Sequence, residues 1–483
     1  MRRTRTTALA ALALLGVFTL AAGLVVARML PPRLARLHVP VAATRAVVNA
    51  TPVLAPAGTL ATDEQRAASP TASGLATMLS AALPAGATGP GVGIEIAAAG
   101  TGQVLYSANA STPATPASTT KVVTAVAALA ALGPDARFTT TVRQVGDAVV
   151  LVGGGDPTLA VNAYPSSDYP RPATLAQLAA GTARALKAQG RHSVRLGYDT
   201  ALFSGPDMAQ GWTDGLISTG NVTPIVALEA DQGRLTQGGA LEDDDDPVNF
   251  RPRTTDPVGM TVAAFAAQLA RDGITVTGTP AETAAPSSAP ALASVSSPPL
   301  VAIAGQMLQE SNNVIAENLA RHVAIALGMP ATFSGDAGAE LAELRRLGIT
   351  TPISLADGSG LSPEDAIAPD TLIRVLKLAA SAPKLRGAIT GLPVAGFSGT
   401  LSAGGSAFGG IGGIGGGTAR GVVRAKTGNL ATVATLAGLV YDHAGDLLLF
   451  AIMAPQVPSA DQLQQAADVI DAAAAGLATC GCS

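Results

Sequence analysis

The chain has 483 residues, of which 13% are charged, and its formal net charge is -4 at pH 7. That length allows two or three domains with a large hydrophobic core. The sequence has no basic patch or aromatic ladder, which argues against nucleic-acid binding. The four histidines are scattered without metal-ligand spacing, and we expect neither a metal site nor another cofactor.

The N-terminal segment has the pattern of a membrane-targeting sequence. Three arginines within the first five residues precede an uncharged apolar run over 8–27, close to the roughly 20 residues that span a bilayer. We predict a signal anchor or a cleavable signal peptide over 1–29, followed by a Pro/Ala-rich linker over 30–74. The remainder is then expected outside the cytoplasm, in the periplasm or on the cell-wall side, either anchored by one helix or secreted.

Both ends of the remaining chain carry strand patterns. Apolar runs predict strands over 91–96, 103–106, 422–427, 432–441 and 447–453. Helical spacing predicts short helices over 75–83 and 461–477. Because two strands come early and three come late, we expect both ends of the chain to build one sheet.

The middle of the chain predicts an inserted α/β unit over 146–299. A strand over 148–152 is followed by two helix-Gly-strand units, one over 175–196 and one over 262–276. An acidic run over 242–246 lacks the spacing of a calcium loop, so we interpret it as a solvated surface loop. The Pro/Ser/Ala stretch over 280–299 predicts a linker or long loop.

One short motif carries nucleophilic chemistry. Ser118 and Lys121 lie three residues apart at the start of an apolar helix pattern, so they should share one helix face. A serine hydroxyl needs a neighbouring base, and a desolvated amine can serve as one near pH 7. Taken alone, this spacing is common by chance and is more typical of a helix cap followed by a surface lysine.

Two further motifs follow the insertion. Ser311 and Asn313 lie two apart within a helical pattern over 306–325, and Lys426-Thr427-Gly428 lies at a strand edge. Taken singly, the first pair could cap or turn the chain, and the triplet is common by chance.

In their order, these motifs resemble the serine penicillin-recognising enzymes, whose signatures are Ser-x-x-Lys, Ser-x-Asn and Lys-Thr-Gly. The long gap between Lys121 and Ser311 is similar to the class C low-molecular-mass penicillin-binding proteins, the D-alanyl-D-alanine carboxypeptidase/endopeptidase family. Gly155-Asp156-Pro157, Gly211-Trp212 and the run over 357–362 also resemble sequences of that family.

The resemblance implies an α/β (α+β) fold and an activity. It implies a penicillin-binding-protein/β-lactamase-like transpeptidase domain, with a five-stranded antiparallel sheet flanked by helices, formed by 75–145 and 300–479. It also implies an exported serine D-Ala-D-Ala carboxypeptidase/endopeptidase that acts on peptidoglycan stem peptides ending in D-Ala-D-Ala. Penicillin and other β-lactams would be covalent inhibitors of such an enzyme.

The same resemblance assigns catalytic roles. Ser118 would be the nucleophile and Lys121 the general base that takes its proton. Ser311 and Lys426 would relay a proton to the leaving amine, and Lys426 would also supply positive potential.

Substrate-binding roles are implied for four more residues. Asn313 would hold the substrate amide, and Thr427 together with Lys426 would bind its terminal carboxylate. Gly428 would let the substrate backbone lie against the strand. The backbone N–H of Asn429 would join that of Ser118 in holding the oxyanion.

Several features leave questions open. Asn429 stands where Thr or Ser is commoner in the family, and the Gly-rich stretch over 396–417 predicts a mobile loop. A β-lactamase would need a deacylating glutamate, but Glu340 and Glu343 lie in an amphipathic pattern that predicts a solvated helix face. A catalytically silent cell-wall sensor is the other alternative. Two cysteines near the C-terminus, at 480 and 482, could form a local disulfide or remain free thiols.

Overall fold

The structure, a computed structural model, describes residues 70–84, 86–163, 170–235, 251–402 and 419–482. The predicted signal anchor or signal peptide, most of the linker, the acidic run over 242–246 and most of the Gly-rich stretch lie outside these residues. Within the described ranges, no helix is both long enough and apolar enough to cross a membrane.

The strands follow the chain order. They are β1 (Gly93–Ala98), β2 (Val104–Ala108), β3 (Thr139–Val145), β4 (Ala148–Val152), β5 (Ser193–Asp199), β6 (Thr275–Val276), β7 (Ala281–Glu282), β8 (Ala291–Ser296), β9 (Ile353–Ser354), β10 (Ala366–Ile367), β11 (Val423–Leu430), β12 (Val433–Tyr441) and β13 (Leu447–Ala454).

The α-helices alternate with these strands along the chain. They are α1 (Ala72–Ala82), α2 (Thr120–Leu132), α3 (Leu175–Ala188), α4 (Gly215–Ser218), α5 (Pro257–Arg271), α6 (Leu300–Glu310), α7 (Asn313–Ala326), α8 (Phe333–Arg346), α9 (Pro369–Ser381), α10 (Gly387–Thr390) and α11 (Leu463–Thr479). Because α1 begins at Ala72, the predicted linker ends slightly before residue 74.

The first sheet has the order β11-β12-β13-β1-β2 and is antiparallel throughout. Both of its faces are covered, since alternate residues of β13 enter two different cores. Leu449, Ala451 and Met453 pack with helices α2, α6, α7 and α9, whereas Phe450 and Ile452 pack with α1 and α11. The predicted fold class, with one sheet built from both ends of the chain, is confirmed.

The second sheet has the order β6-β5-β4-β3-β8, with β7 paired to β5. Parallel pairing of β4 with β5 and of β5 with β6 follows from the crossover helices α3 and α5, which pack with the sheet in a core of their own. This sheet is mixed, because β3 pairs antiparallel with both β4 and β8.

One boundary of the predicted insertion and the predicted loop over 280–299 are corrected by this sheet. The strand β3 was assigned to the catalytic domain, but it forms a hairpin with β4 and therefore belongs to the second sheet. The stretch over 280–299 is not a linker or loop alone, because it contains β7 and β8. The strand β8 is an edge strand with mostly exposed or half-buried side chains, so its hydrophobic signal is weak.

The C-terminal cysteines form a disulfide in the structure, between Cys480 and Cys482. The carbonyl of Cys482 accepts hydrogen bonds from the backbone N–H and the hydroxyl of Thr71, at 2.7 Å and 3.0 Å. These contacts attach the C-terminus to the start of α1.

Candidate active site

The predicted nucleophile lies in a short 3₁₀ turn, Ala117–Thr119, that continues directly into α2. The predicted helix start at Ser118 is refined in this detail, because the first turn is 3₁₀ and the α-helix begins at Thr120. Ala117 has a positive φ of 48°, and the Thr119 hydroxyl donates to the carbonyl of Pro116 at 2.7 Å. This turn leaves Ser118 partly exposed at the head of a helix whose next ten residues are all buried.

Lys121 is fully buried one turn behind Ser118. Its Nζ lies 2.9 Å from Ser118 Oγ, 2.6 Å from Asn313 Oδ1 and 2.6 Å from the Ser359 carbonyl oxygen. Burial lowers the pKa of Lys121 to about 7, although nearby carboxylates oppose that shift. The alternative of a helix cap followed by a surface lysine therefore does not describe this pair.

The second motif lies at a break between two helices. The predicted continuous helix over 306–325 is wrong, because α6 ends at Glu310 and α7 begins at Asn313. Ser311 takes the left-handed conformation, with a φ of 56°, and the Asn312 side chain caps α7 by accepting from the N–H of Ile315. The break turns the hydroxyl of Ser311 and the carboxamide of Asn313 toward two different lysines.

Both ends of the Asn313 carboxamide have partners in the chain. Its Oδ1 faces Lys121, and its Nδ2 donates to the Asn221 carbonyl at 2.8 Å. One N–H of the amide group is left to face other groups. The predicted contact of Asn313 with a substrate amide remains a prediction.

The third motif brings a second buried amine to the site. Lys426 Nζ donates to Ser311 Oγ at 2.9 Å and to the Thr427 carbonyl at 2.8 Å. Burial lowers the pKa of Lys426 well below its usual value, and the charge of Lys121 acts in the same direction. A bound carboxylate would oppose both effects and favour the charged form.

The strand β11 approaches the nucleophile turn very closely at Gly428. A Cβ on this residue would lie 2.7 Å from the Pro116 carbonyl oxygen and 3.1 Å from the Ser118 backbone nitrogen. Glycine is therefore required for packing of the strand against the turn, a reason that sequence reasoning did not identify. The neighbouring Thr427 hydroxyl lies 3.0 Å from that of Thr400, and both Thr427 and Asn429 are partly exposed.

A loop that sequence reasoning left without a role completes the surroundings of Lys121. Asp357 accepts from the N–H groups of Ser359 and Gly360 at 3.1 Å and 2.6 Å, and thereby holds the turn that presents the Ser359 carbonyl. Glu317, fully buried, accepts from the N–H of Gly358 at 3.0 Å. The Asp-Gly-Ser-Gly turn pattern was the available signal, but a backbone carbonyl has no sequence signature.

The predicted solvated face for Glu340 and Glu343 is wrong. Glu340 is fully buried, and burial raises its pKa well above the usual range. Glu343 is 2% exposed and pairs with the guanidinium of Arg346. The amphipathic pattern failed because α8 is covered by both α2 and α7, so its acidic positions are enclosed.

Comparison with known protein families identifies the class of enzyme. The D-Ala-D-Ala carboxypeptidase 3 (S13) family matches residues 75–238 and 229–477. The chain belongs to this family, which confirms the resemblance drawn from the three motifs. It is a serine-type carboxypeptidase and therefore a hydrolase.

Particular relatives give the same assignment. Carboxypeptidase DacB of Mycolicibacterium smegmatis is 37% identical over 427 residues, which cover 86% of each chain. D-alanyl-D-alanine carboxypeptidase of Actinomadura sp. is 33% identical over 214 residues, 43% of this chain and 39% of that protein.

Solved structures agree with this assignment. Penicillin binding protein 4 (dacB) from Haemophilus influenzae superposes with a TM-score of 0.63 at 26% identity, covering 78% of this chain and 92% of that one. A second structure of that protein, in complex with a novel β-lactam, superposes with a TM-score of 0.59 at 25% identity and the same coverage.

Proposed function

We propose that the chain is an exported D-Ala-D-Ala carboxypeptidase/endopeptidase that cleaves peptidoglycan stem peptides through an acyl-enzyme at Ser118. The observation that carries this proposal is the buried Lys121 amine, 2.9 Å from Ser118 Oγ and with its pKa lowered to about 7. An amine with that pKa is half neutral at pH 7 and can accept the serine proton. The substrate class follows from the named relatives.

Acylation in this proposal begins as Ser118 Oγ attacks the carbonyl carbon between the two D-alanines while Lys121 accepts its proton. The tetrahedral oxyanion is held by the backbone N–H groups of Ser118 and Asn429, each worth about 2.7–4 kcal/mol of barrier in comparable sites. The C–N bond then breaks, and the leaving D-alanine takes a proton delivered through Ser311 and Lys426. Water hydrolyses the ester in the second half-reaction.

In this proposal, the substrate binds along β11, where Thr427 and Asn429 are partly exposed. In the same proposal, the Thr427 hydroxyl and the Lys426 ammonium bind the terminal carboxylate, which would favour the charged form of Lys426. Asn313 offers its remaining N–H to the substrate amide. β-Lactams present a cyclic amide and a carboxylate in a similar arrangement, and the β-lactam complex of the Haemophilus relative supports acylation by penicillin.

A β-lactamase is the less favoured enzyme. Such an enzyme needs a carboxylate that activates water beside the acyl ester. Glu340 is one of the two glutamates considered above for deacylation. Its burial and raised pKa favour a neutral carboxylic acid, which cannot act as a base. Glu343 is held by Arg346. No observation favours a catalytically silent cell-wall sensor, because Ser118 and Lys121 keep the hydrogen bond that proton transfer requires, and Ser311 and Lys426 keep theirs.

The proposal extends to location. The positively charged, apolar N-terminal pattern supports export and either anchoring by one helix or secretion. The substrate class, a polymer outside the cytoplasmic membrane, supports the same location. Fractionation of cells that express the full chain, followed by N-terminal sequencing of the mature protein, tests both points.

One experiment tests the activity. The full-length protein is incubated with a labelled penicillin, and the adduct is followed by mass beside a Ser118→Ala variant, while D-alanine release is measured on a D-alanyl-D-alanine peptide. We expect a long-lived adduct at Ser118 and D-alanine release. Rapid turnover of the adduct would indicate a β-lactamase. An absence of any Ser118-dependent adduct and of D-alanine release would indicate the silent protein.

A further inference from the structure

The hydrogen bonds around Lys121 Nζ determine where its lone pair points. As an ammonium group, Lys121 donates one N–H to each of three oxygens: Ser118 Oγ, Asn313 Oδ1 and the Ser359 carbonyl oxygen. Neither the amide oxygen nor the carbonyl can donate a proton, whereas the serine hydroxyl can. When Lys121 loses a proton, its two remaining N–H groups stay with the two acceptors. The lone pair then faces the Ser118 hydroxyl.

Each of the two acceptors is held by one short segment of the inserted region, which we call the clamp segment (residues 212–221). At its end, the Asn221 carbonyl accepts from Asn313 Nδ2 at 2.8 Å. This bond also determines which end of the Asn313 carboxamide faces Lys121.

At the start of the clamp segment, Trp212 Nε1 donates to Asp357 Oδ2 at 2.9 Å. The same oxygen accepts from the N–H of Ser362 at 2.6 Å, and the other oxygen of Asp357 holds the N–H groups of Ser359 and Gly360. Trp212 therefore acts on the Ser359 carbonyl through one carboxylate.

The clamp segment is itself anchored at both ends. The Trp212 ring packs edge-to-face on Phe333 of α8, with 5.3 Å between ring centroids. Arg253 Nε donates to the Gly220 carbonyl at 3.2 Å, and Arg253 Nη1 donates to the Gln232 carbonyl at 2.6 Å. These contacts attach the segment to α8 and to the rest of the inserted region, while the N–H bond of Trp212, rather than its ring contact, orients the Asp357 carboxylate.

We propose that the clamp segment positions the general base: Trp212, through Asp357, and Asn221, through Asn313, aim the Lys121 lone pair at Ser118. This inference rests on the proposed function, because it assigns Lys121 as the base. It gives the inserted region a role in acylation itself. Trp212 and Asp357 are positioning residues, since neither contacts Ser118.

The test measures acylation of the full-length protein by a labelled penicillin from pH 5 to pH 9. Trp212→Phe removes the N–H but keeps an aromatic ring, so we expect an acylation rate about ten- to one-hundredfold lower on the high-pH plateau. The acidic limb of the profile, where the rate falls as the pH is lowered, should stay at the wild-type pH, because the charge of Asp357 remains. Phe333→Leu is the packing control: it loosens the ring contact without touching the N–H, and should keep the rate within about twofold.

A second variant separates position from charge. Asp357→Asn replaces one of the two acceptor oxygens of this side chain with an NH2 group and removes a carboxylate charge that raises the pKa of Lys121. We therefore expect a lower plateau together with a shift of the acidic limb to lower pH; Glu317 and Asp365, which also face Lys121 electrostatically, remain. Trp212 is the only tryptophan in the chain, so its fluorescence emission should change in Asp357→Asn.

Each outcome decides the inference. It is overturned if Trp212→Phe matches the wild-type rate across the pH range, or if Phe333→Leu loses as much activity. If Trp212→Phe melts far below the wild type, the test rests on Asp357→Asn instead. A high-pH acylation rate of Asp357→Asn equal to that of the wild type would then overturn the inference. The proposed function fails separately, if the wild-type protein itself forms no Ser118-dependent adduct.

Discussion

The protonation of Lys121 gives the sharpest quantitative prediction. At pH 7, a lysine with the ordinary pKa of 10.5 would be neutral in roughly one molecule in 3,000, whereas a pKa of about 7 makes about half of the molecules neutral. The cause is burial, which removes water from the ammonium group more effectively than the nearby carboxylates compensate. This lowering of the Lys121 pKa corresponds to about 5 kcal/mol, at 1.36 kcal/mol per pKa unit.

Because only the neutral amine can accept the Ser118 proton, the acylation rate should follow the neutral fraction. A pKa of about 7 predicts a rate at pH 8 about 90-fold higher than at pH 5, with a slope of one below the pKa. The assay is single-turnover acylation by a fluorescent penicillin over this range, with circular dichroism at each pH to confirm that the protein stays folded.

Two lysine variants provide the test of this prediction and its control. Lys121→Ala should lower the rate by about 10²–10⁴-fold on the plateau and abolish the acidic limb. Lys187→Ala removes an exposed lysine of α3 and should leave the profile unchanged. A wild-type rate that does not depend on pH between 5 and 8, or that rises only near pH 10, would refute Lys121 as a neutral base prepared by burial.

Three other predictions concern single residues. Gly428→Ala should lower acylation more than one-hundredfold and cost about 1–3 kcal/mol of stability, because its Cβ would overlap the Pro116 carbonyl and displace the Ser118 turn; an unchanged rate would contradict the packing argument. Glu340→Gln should leave the lifetime of the penicilloyl adduct within about twofold; a much longer lifetime would assign this glutamate to deacylation. Burial raises the pKa of Glu229 to about 8, so its proton stabilises the fold below pH 4.5 and this contribution is lost as pH rises through 8. Urea unfolding at pH 5 and pH 9 should therefore show a smaller decline for Glu229→Gln than for the wild type, and equal declines would contradict the assignment.

Local patterns in the sequence were sufficient for most elements of the two sheets. The strand β4 has the predicted bounds, and β12 and β13 differ from prediction by one residue at one end. These elements carry strong hydrophobic periodicity because one or both of their faces enter a core. The strand β8 was missed for the opposite reason, since it lies at a sheet edge with little apolar burial.

The local sequence pattern did not show which charged residues are buried. Glu340 and Glu343 repeat at a spacing typical of a solvated face, yet the helices packed around α8 enclose both. The break at Ser311 was hidden in the same way, because the residues on both sides have continuous helical spacing. In each case, contacts between distant segments override a local preference.

The order of three short motifs was enough to identify the family and to nominate Ser118, Lys121 and Lys426 among the candidate site residues, since side-chain identity at fixed spacing is a property of the chain alone. The tertiary fold determines how those residues act. It buries Lys121 and so lowers its pKa, and it brings Asn313 and the Ser359 carbonyl to the same amine. Desolvation and hydrogen-bond direction depend on atoms that are far apart in the sequence, so no local pattern could have specified where the lone pair of the base would point.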